Sequence, residues 1–304
     1  MPALLPNRRA LVLAIAGVLL LGSLAVTPAA AITRGGTLDG DDHPQVGLLT
    51  VHAEGDEYLW RCSGTLISPT VFITAGHCTE PDDSEGFGPP AYGLVYFYDE
   101  LDPIVPDPDF TFSGPTARSC DGIEGFPCGD DGGDLVAFTG ELFLHPEYDP
   151  GAFFTHDLGV VILDEAYDPP GAYASLPELG ALDDLHPGPR TRFTAVGYGL
   201  QKAHGPGAAW RDIANRVRMV AQPYLLQIDT AFTGDFSILL SNNAFSGGTC
   251  FGDSGGPNFV GTTLVLAGVT SYGLNWACGG TGGVYRLDQA DDLDWLEAEF
   301  GDLF

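Results

Sequence analysis

The chain has 304 residues, 44% of them hydrophobic, which supplies a core for one large or two medium domains and excludes an intrinsically disordered chain. Its 41 acids against 12 bases leave a net charge of −29, a field that repels phosphate backbones and argues against nucleic-acid partners. With 42 glycines and 23 prolines, it reads as many short strands joined by turns rather than as a helical protein.

The amino terminus reads as a targeting segment. Arg8 and Arg9 precede an apolar run from Ala10 to Val26, and Ala29-Ala30-Ala31 offers small residues for cleavage. Together these predict a secretory signal peptide over residues 1–31, with a twin-arginine route left open. The competing reading is an uncleaved anchor, but the run is short for a span. The expected product is a secreted, extracellular monomer without stable membrane association. Six cysteines on an exported chain predict three disulfides. Local spacing favours Cys62 with Cys78, Cys120 with Cys128 and Cys250 with Cys278, the middle pair being open also to free thiols or a metal.

Strands are predicted at Val46–His52, Tyr58–Ile67 and Val71–Ala75, with Ser68-Pro69-Thr70 as the turn between the last two. Residues 80–133 form an acidic insertion that holds a predicted strand at Tyr92–Tyr98. Its carboxylates suit Ca²⁺ in kind, but no spacing there resembles a Ca²⁺ loop, so a solvated insertion is preferred. Further strands are predicted at Leu135–Phe138, Leu142–His145 and Leu158–Leu163. The proline-rich stretch Asp164–Pro189 then reads as the crossing between two halves, residues 32–170 and 171–304. Beyond it, strands are predicted near Arg192–Tyr198, Val217–Ala221, Tyr224–Ile228, Thr263–Tyr272 and Gly283–Leu287. Last, Asp288 or Asp291 is expected to cap a helix whose Leu293, Leu296 and Phe300 pack on the second half.

The chemistry centres on Gly248-Thr249-Cys250-Phe251-Gly252-Asp253-Ser254-Gly255-Gly256-Pro257. A serine hydroxyl attacks only if a base takes its proton, and the resulting oxyanion needs aimed donors. Glycines let the backbone turn tightly enough for Gly252 and Ser254 N–H groups to serve as an oxyanion hole. The base should be fixed in position. Of seven histidines, His77 follows a predicted strand and precedes Cys78, whose bridge to Cys62 would staple it. Asp157, directly before an apolar strand, is costly to bury unless paired, and would orient that base. His156 is the rival base, without a neighbouring staple.

These motifs in the order His, Asp, Ser, together with Ser271-Tyr272-Gly273, make the chain resemble the chymotrypsin/trypsin family of serine proteases in a secreted, bacterial-like form, over residues 32–300. The resemblance implies an all-β fold of two six-stranded antiparallel barrels with a C-terminal helix. It implies a serine endopeptidase acting on protein or peptide substrates without a metal or other cofactor, with His77, Asp157 and Ser254 as its triad. It matches the Cys62–Cys78 and Cys250–Cys278 bridges, whereas Cys120–Cys128 has no family counterpart. It also places Gly248 at the base of the S1 pocket, with Ser271, Tyr272, Gly273 and Gly283 along it. A glycine at 248 argues against Arg or Lys at P1 and favours large apolar or aromatic side chains, unless Trp276 folds into the slot. By the same resemblance, cleavage after Ala31 would free the Ile32 amine to pair with Asp253.

Gly252-Asp253-Ser254-Gly255-Gly256 also fits the nucleophile pattern of α/β-hydrolases, but that fold needs a histidine after the serine and the last one is His204. The remaining alternative is a catalytically inactive, protease-like binding protein.

Overall fold

The computed structural model describes residues 32–33, 35–81, 89–101, 136–152 and 154–304. The signal peptide, the Cys120/Cys128 pair and most of the acidic insertion lie outside them. Alternating and β-branched runs in the first half form strands β1 (Thr37–Leu38), β2 (Val46–Ala53), β3 (Tyr58–Leu66), β4 (Val71–Thr74), β5 (Pro90–Tyr96), β6 (Phe138–Leu144) and β7 (Gly159–Leu163). Six of them close into an antiparallel barrel in the order β2-β3-β4-β7-β6-β5. All of β2 is buried, with His52 near its end covered by Tyr58 and Tyr92 of the two flanking strands.

The second half contributes β8 (Phe193–Gly197), β9 (Met219–Ala221), β10 (Leu225–Gln227), β11 (Ser237–Asn242), β12 (Pro257–Val260), β13 (Leu266–Gly273) and β14 (Gly280–Arg286). Where a second six-stranded barrel was expected, they join β1 in an eight-stranded, half-barrel sheet in the order β1-β9-β8-β12-β13-β14-β11-β10. Its edge strand β1 comes from the amino-terminal segment, with Thr37 opposite Val220 and Leu38 opposite Met219. One apolar core runs through both halves, with Val46, Leu48 and Phe72 in the same cluster as Val196, Phe259 and Tyr285. Arg218 pins the junction. Only 1% exposed, it bonds Asp39 at 2.9 Å and the carbonyls of Val46 and Phe97 at 3.2 Å. A buried guanidinium is tolerable only with partners of this kind.

Three expectations are corrected. Leu135–Phe138 and Leu142–His145 are not two strands, since Phe138–Leu144 is one continuous strand paired with both β5 and β7. Strands β11 and β12 were not anticipated, because Ser, Asn and Pro interrupt their apolar pattern. The helix α1 (Ala290–Phe300) is present, but Gln289 occupies its N-cap position and neither aspartate caps it. Asp288 is instead held by buried Arg286 at 2.7 Å and by the Leu182 N–H at 2.8 Å. The helix also leans on the first barrel rather than on the second half alone: Phe300 meets Phe143 edge-on at 5.3 Å, and Trp295 meets His145 at 4.9 Å.

Candidate active site

Strand β4 ends at Thr74, and a 3₁₀ turn over Gly76–Cys78 presents His77. Two ties hold that turn. Cys78 is bonded to Cys62 of β3, and Trp60 of the same strand donates its indole N–H to the Cys78 carbonyl at 3.0 Å. Asp157 arrives from the other side, just before β7, and is fully buried. Three donors satisfy it: the His77 backbone N–H at 2.9 Å, His77 Nδ1 at 3.0 Å and the Ser271 hydroxyl at 2.5 Å. Accepting at Nδ1–H fixes the tautomer that leaves Nε2 as the basic nitrogen. Burial disfavours the charged ring, yet Asp157 outweighs it and holds the His77 pKa above its usual value, with Glu80 adding to the effect.

The loop carrying Ser254 is braced differently. Cys250 is bonded to Cys278, and Gly252 and Gly255 take left-handed φ of 89° and 76°. At Gly255 a Cβ would lie 2.0 Å from Thr74 Oγ1, so only glycine fits. The N–H groups of Asp253, Gly255 and Gly256 donate to the carbonyls of Cys250, Thr270 and Asp253. Among the described residues, those of Gly252 and Ser254 donate to nothing, which leaves two donors on adjacent turns of one loop. Asp253 is buried and accepts the Gly199 N–H at 2.7 Å and the Cys250 N–H at 2.8 Å. Burial pushes its pKa up to about 7, against the pull of those two bonds and of Arg61.

His77 and Ser254 border one cavity of about 410 Å³, together with Thr249, Cys250, Tyr272 and Gly273. No hydrogen bond joins the imidazole to the Ser254 hydroxyl among the described residues. Of the pocket positions expected, Ser271, Tyr272 and Gly273 border this cavity, whereas Gly248 and Gly283 do not. Gly248 sits against Asn242, whose Cβ would lie 2.5 Å from an added Cβ. Gly283 does not open a slot, because the Tyr272 ring covers it at 2.4 Å from such a Cβ and bonds Ser237 Oγ at 3.0 Å. Trp276 stays out of the cavity as well. It is 65% exposed and stacks on Phe251 at 5.4 Å.

His156, the rival base, does not border the cavity. It adopts φ of 52°, stacks on His145 at 5.1 Å and bonds Asp291 of α1 at 2.9 Å, tying the Asp157 loop to the helix. The Ser271 bond to Asp157 was missed in the sequence, where nothing marks a hydroxyl as the third donor. Ile32 is buried among Ala195, Val217, Met219 and Ala221, and the Thr33 hydroxyl bonds Asn242 at 3.1 Å beside Gly248. Among the described residues, the Asp253 carboxylate is hydrogen-bonded by backbone N–H groups.

Against known proteins, a family model described as Trypsin matches residues 130–293, a span that holds Asp157 and Ser254 but begins after His77. A trypsin from Saccharopolyspora erythraea is 28% identical over 255 residues, covering 84% of this chain and 92% of that protein. The CLIP domain-containing serine protease B10 of Anopheles gambiae is 27% identical over 268 residues, covering 84% of this chain and 66% of that one. Among solved structures, an HL collagenase superposes with a TM-score of 0.56 at 16% identity, covering 85% of this chain and 94% of that one. Human heparin binding protein gives a TM-score of 0.57 at 18% identity, covering 88% and 96%. Likeness at that identity speaks for the fold alone.

Proposed function

The chain belongs to the trypsin family of serine proteases, and from that premise we propose that it is a secreted endopeptidase working through His77, Asp157 and Ser254. The observation that carries this reading is a buried Asp157 accepting His77 Nδ1 while His77 and Ser254 border the same cavity. His77 Nε2 takes the Ser254 proton as Oγ attacks the scissile carbonyl. The oxyanion that forms is met by the Gly252 and Ser254 N–H groups. His77 then passes the proton to the leaving amine. Water repeats the sequence on the acyl-enzyme and regenerates the hydroxyl. Throughout, Asp157 stabilises the imidazolium.

For specificity, the cavity residues Thr249, Cys250, Tyr272, Gly273 and Cys278 include no carboxylate to compensate an Arg or Lys side chain, so large apolar or aromatic P1 residues are the proposed preference. Removal of residues 1–31 would give an Ile32 amine, and pairing it with Asp253 is the proposed activation step. The two disulfides fit the oxidising, extracellular setting that the proposed export implies.

A proteome-derived peptide library digested with the mature enzyme and with Ser254→Ala tests catalysis and preference together. Expected are cleavages after Phe, Tyr or Leu that vanish in the variant. Cleavage after Arg would overturn the pocket reading. Failure of a fluorophosphonate to label Ser254 would leave an inactive, protease-like binding protein.

A further inference from the structure

Strand β3 touches both halves of the proposed machinery, from opposite faces. Side chains alternate along a strand, so Cys62 points one way while Arg61 and Ser63 point the other. Cys62 staples the turn that carries His77. On the opposite face, the Ser63 hydroxyl donates to the Gly252 carbonyl at 2.9 Å and accepts the Tyr198 N–H at 3.0 Å. Its backbone N–H donates to the Ser254 carbonyl at 2.7 Å. Arg61 is 5% exposed and anchored by Nη1 to the Tyr198 carbonyl at 2.7 Å. Its Cζ and Nη2 would lie 3.2 Å from a Cβ on Gly252, so the guanidinium lies directly behind the oxyanion loop.

We propose that Arg61 and Ser63 are positioning residues that clamp the oxyanion loop onto the first barrel, and that β3 thereby sets the register between the base and the oxyanion donors. This rests on the catalytic reading above. The Gly252 carbonyl shares its peptide plane with the Asp253 N–H, and the planes on either side carry the Gly252 and Ser254 N–H groups, so holding that carbonyl on Ser63 constrains where both donors aim. Small errors of aim matter at such a site, because donors act only at the position the oxyanion will occupy. The guanidinium adds fixed positive charge behind that position, and its field also favours the ionised form of Asp253.

The test uses Ser63→Ala, Arg61→Met and Arg61→Lys in the full mature chain. Expected is a fall in kcat of about tenfold to a hundredfold for Ser63→Ala and Arg61→Met, with KM changed by less than about threefold. Affinity for a peptide boronate, which forms a tetrahedral adduct, should fall in parallel, and Arg61→Lys should recover part of both. Unchanged kcat in folded variants would overturn the proposal. So would equal losses in kcat and in binding of a product peptide, the mark of general disruption. Hydrogen exchange at the amides of residues 248–257 supplies a readout that does not need activity: faster exchange in both variants is expected, and unchanged exchange sinks the clamp. A parent enzyme inert to fluorophosphonate would sink the catalytic reading instead, with exchange still deciding the clamp.

Discussion

Two aspartates are fully buried within the same site, and they are treated in opposite ways. Asp157 faces an ionisable partner and receives three donors, two of them from His77. Asp253 receives two backbone N–H groups, and the Arg61 guanidinium acts on it through its charge. The first is a finished ion site whose charge is balanced whenever His77 protonates. In the second, burial outweighs the two bonds and the pull of Arg61 and pushes the pKa up to about 7. The difference separates the two roles. Under the proposed function, one carboxylate steadies a proton transfer, and the other is the partner proposed for an Ile32 amine.

The comparison breaks first at Asp157. Asp157→Asn keeps the shape but offers an amide N–H where His77 needs an acceptor, so the ring turns to the wrong tautomer. We expect kcat to drop by about 10,000-fold with the fold retained. The acid limb of the pH–rate profile shifts as well. In the parent the His77 pKa is raised, so activity is lost as pH falls through a midpoint above the ordinary histidine value. In the variant the main raising charge is gone and burial dominates, so the limb should move to lower pH. A limb that stayed in place would mean that another group sets it.

Asp253 should respond through stability instead. Its folded pKa lies above the unfolded value of 3.8, so the folded state holds a proton that the unfolded state has released. Between those pH values the unfolded chain binds fewer protons, and stability falls as pH rises. Above about 7 the loss is complete, on the order of 4 kcal/mol for a shift of this size. Chemical denaturation from pH 4 to 8 on the uncleaved chain should show that slope, and Asp253→Asn should flatten it. Cleavage before Ile32 should flatten it too, if the amine reaches the carboxylate. A slope unaffected by either change would remove Asp253 from the activation step.

Much of this was legible because the motifs report backbone needs. Gly255 is forced by Thr74, and the Cys62–Cys78 bridge ties the turn that carries His77 to β3. The asymmetry between the two aspartates was half-visible: both stood in motifs, but only contacts show that one has three donors and the other two. What stayed hidden depends on cross-chain packing. The Ser271 hydroxyl reaches Asp157 from 114 residues away, which no local pattern announces. The pocket was misread for the same reason. Glycines at 273 and 283 suggested an open slot, but space beside a glycine belongs to whichever side chain enters it, and at Gly283 that is Tyr272. Strands β11 and β12 escaped because sheet pairing overrides the propensity of Ser, Asn and Pro.

Ser271→Ala sharpens the contrast by making Asp157 resemble Asp253, with one donor fewer. A hydrogen bond to a charged group contributes about 1.5–3 kcal/mol, so a fall in kcat of about tenfold is expected if most of that bond acts in the transition state. The Asp157 carboxylate would still hold His77, and KM should change little unless the cavity wall moves. An effect as large as that of Asp157→Asn would show that Ser271 fixes the carboxylate's orientation outright.

The smallest effect belongs to the tie behind Asp157. His156 bonds Asp291 at 2.9 Å, and Glu147 approaches it at 3.6 Å, but Asp291 and Glu147 are 45% and 68% exposed. Pairs open to solvent in this way contribute about 0.2–1 kcal/mol. The left-handed φ of 52° at His156 works in the other direction, because asparagine tolerates that conformation better. His156→Asn should therefore change stability by less than about 1 kcal/mol, loss of the pair being offset by relief at the backbone. A double-mutant cycle with Asp291→Asn isolates the pair itself. Coupling below about 1 kcal/mol, with kcat within about twofold, would place the order of Asp157 in its own three donors. Coupling several times larger would mean that helix α1, not the donor set, holds the carboxylate in place, and the contrast with Asp253 would then rest on packing rather than on hydrogen bonds.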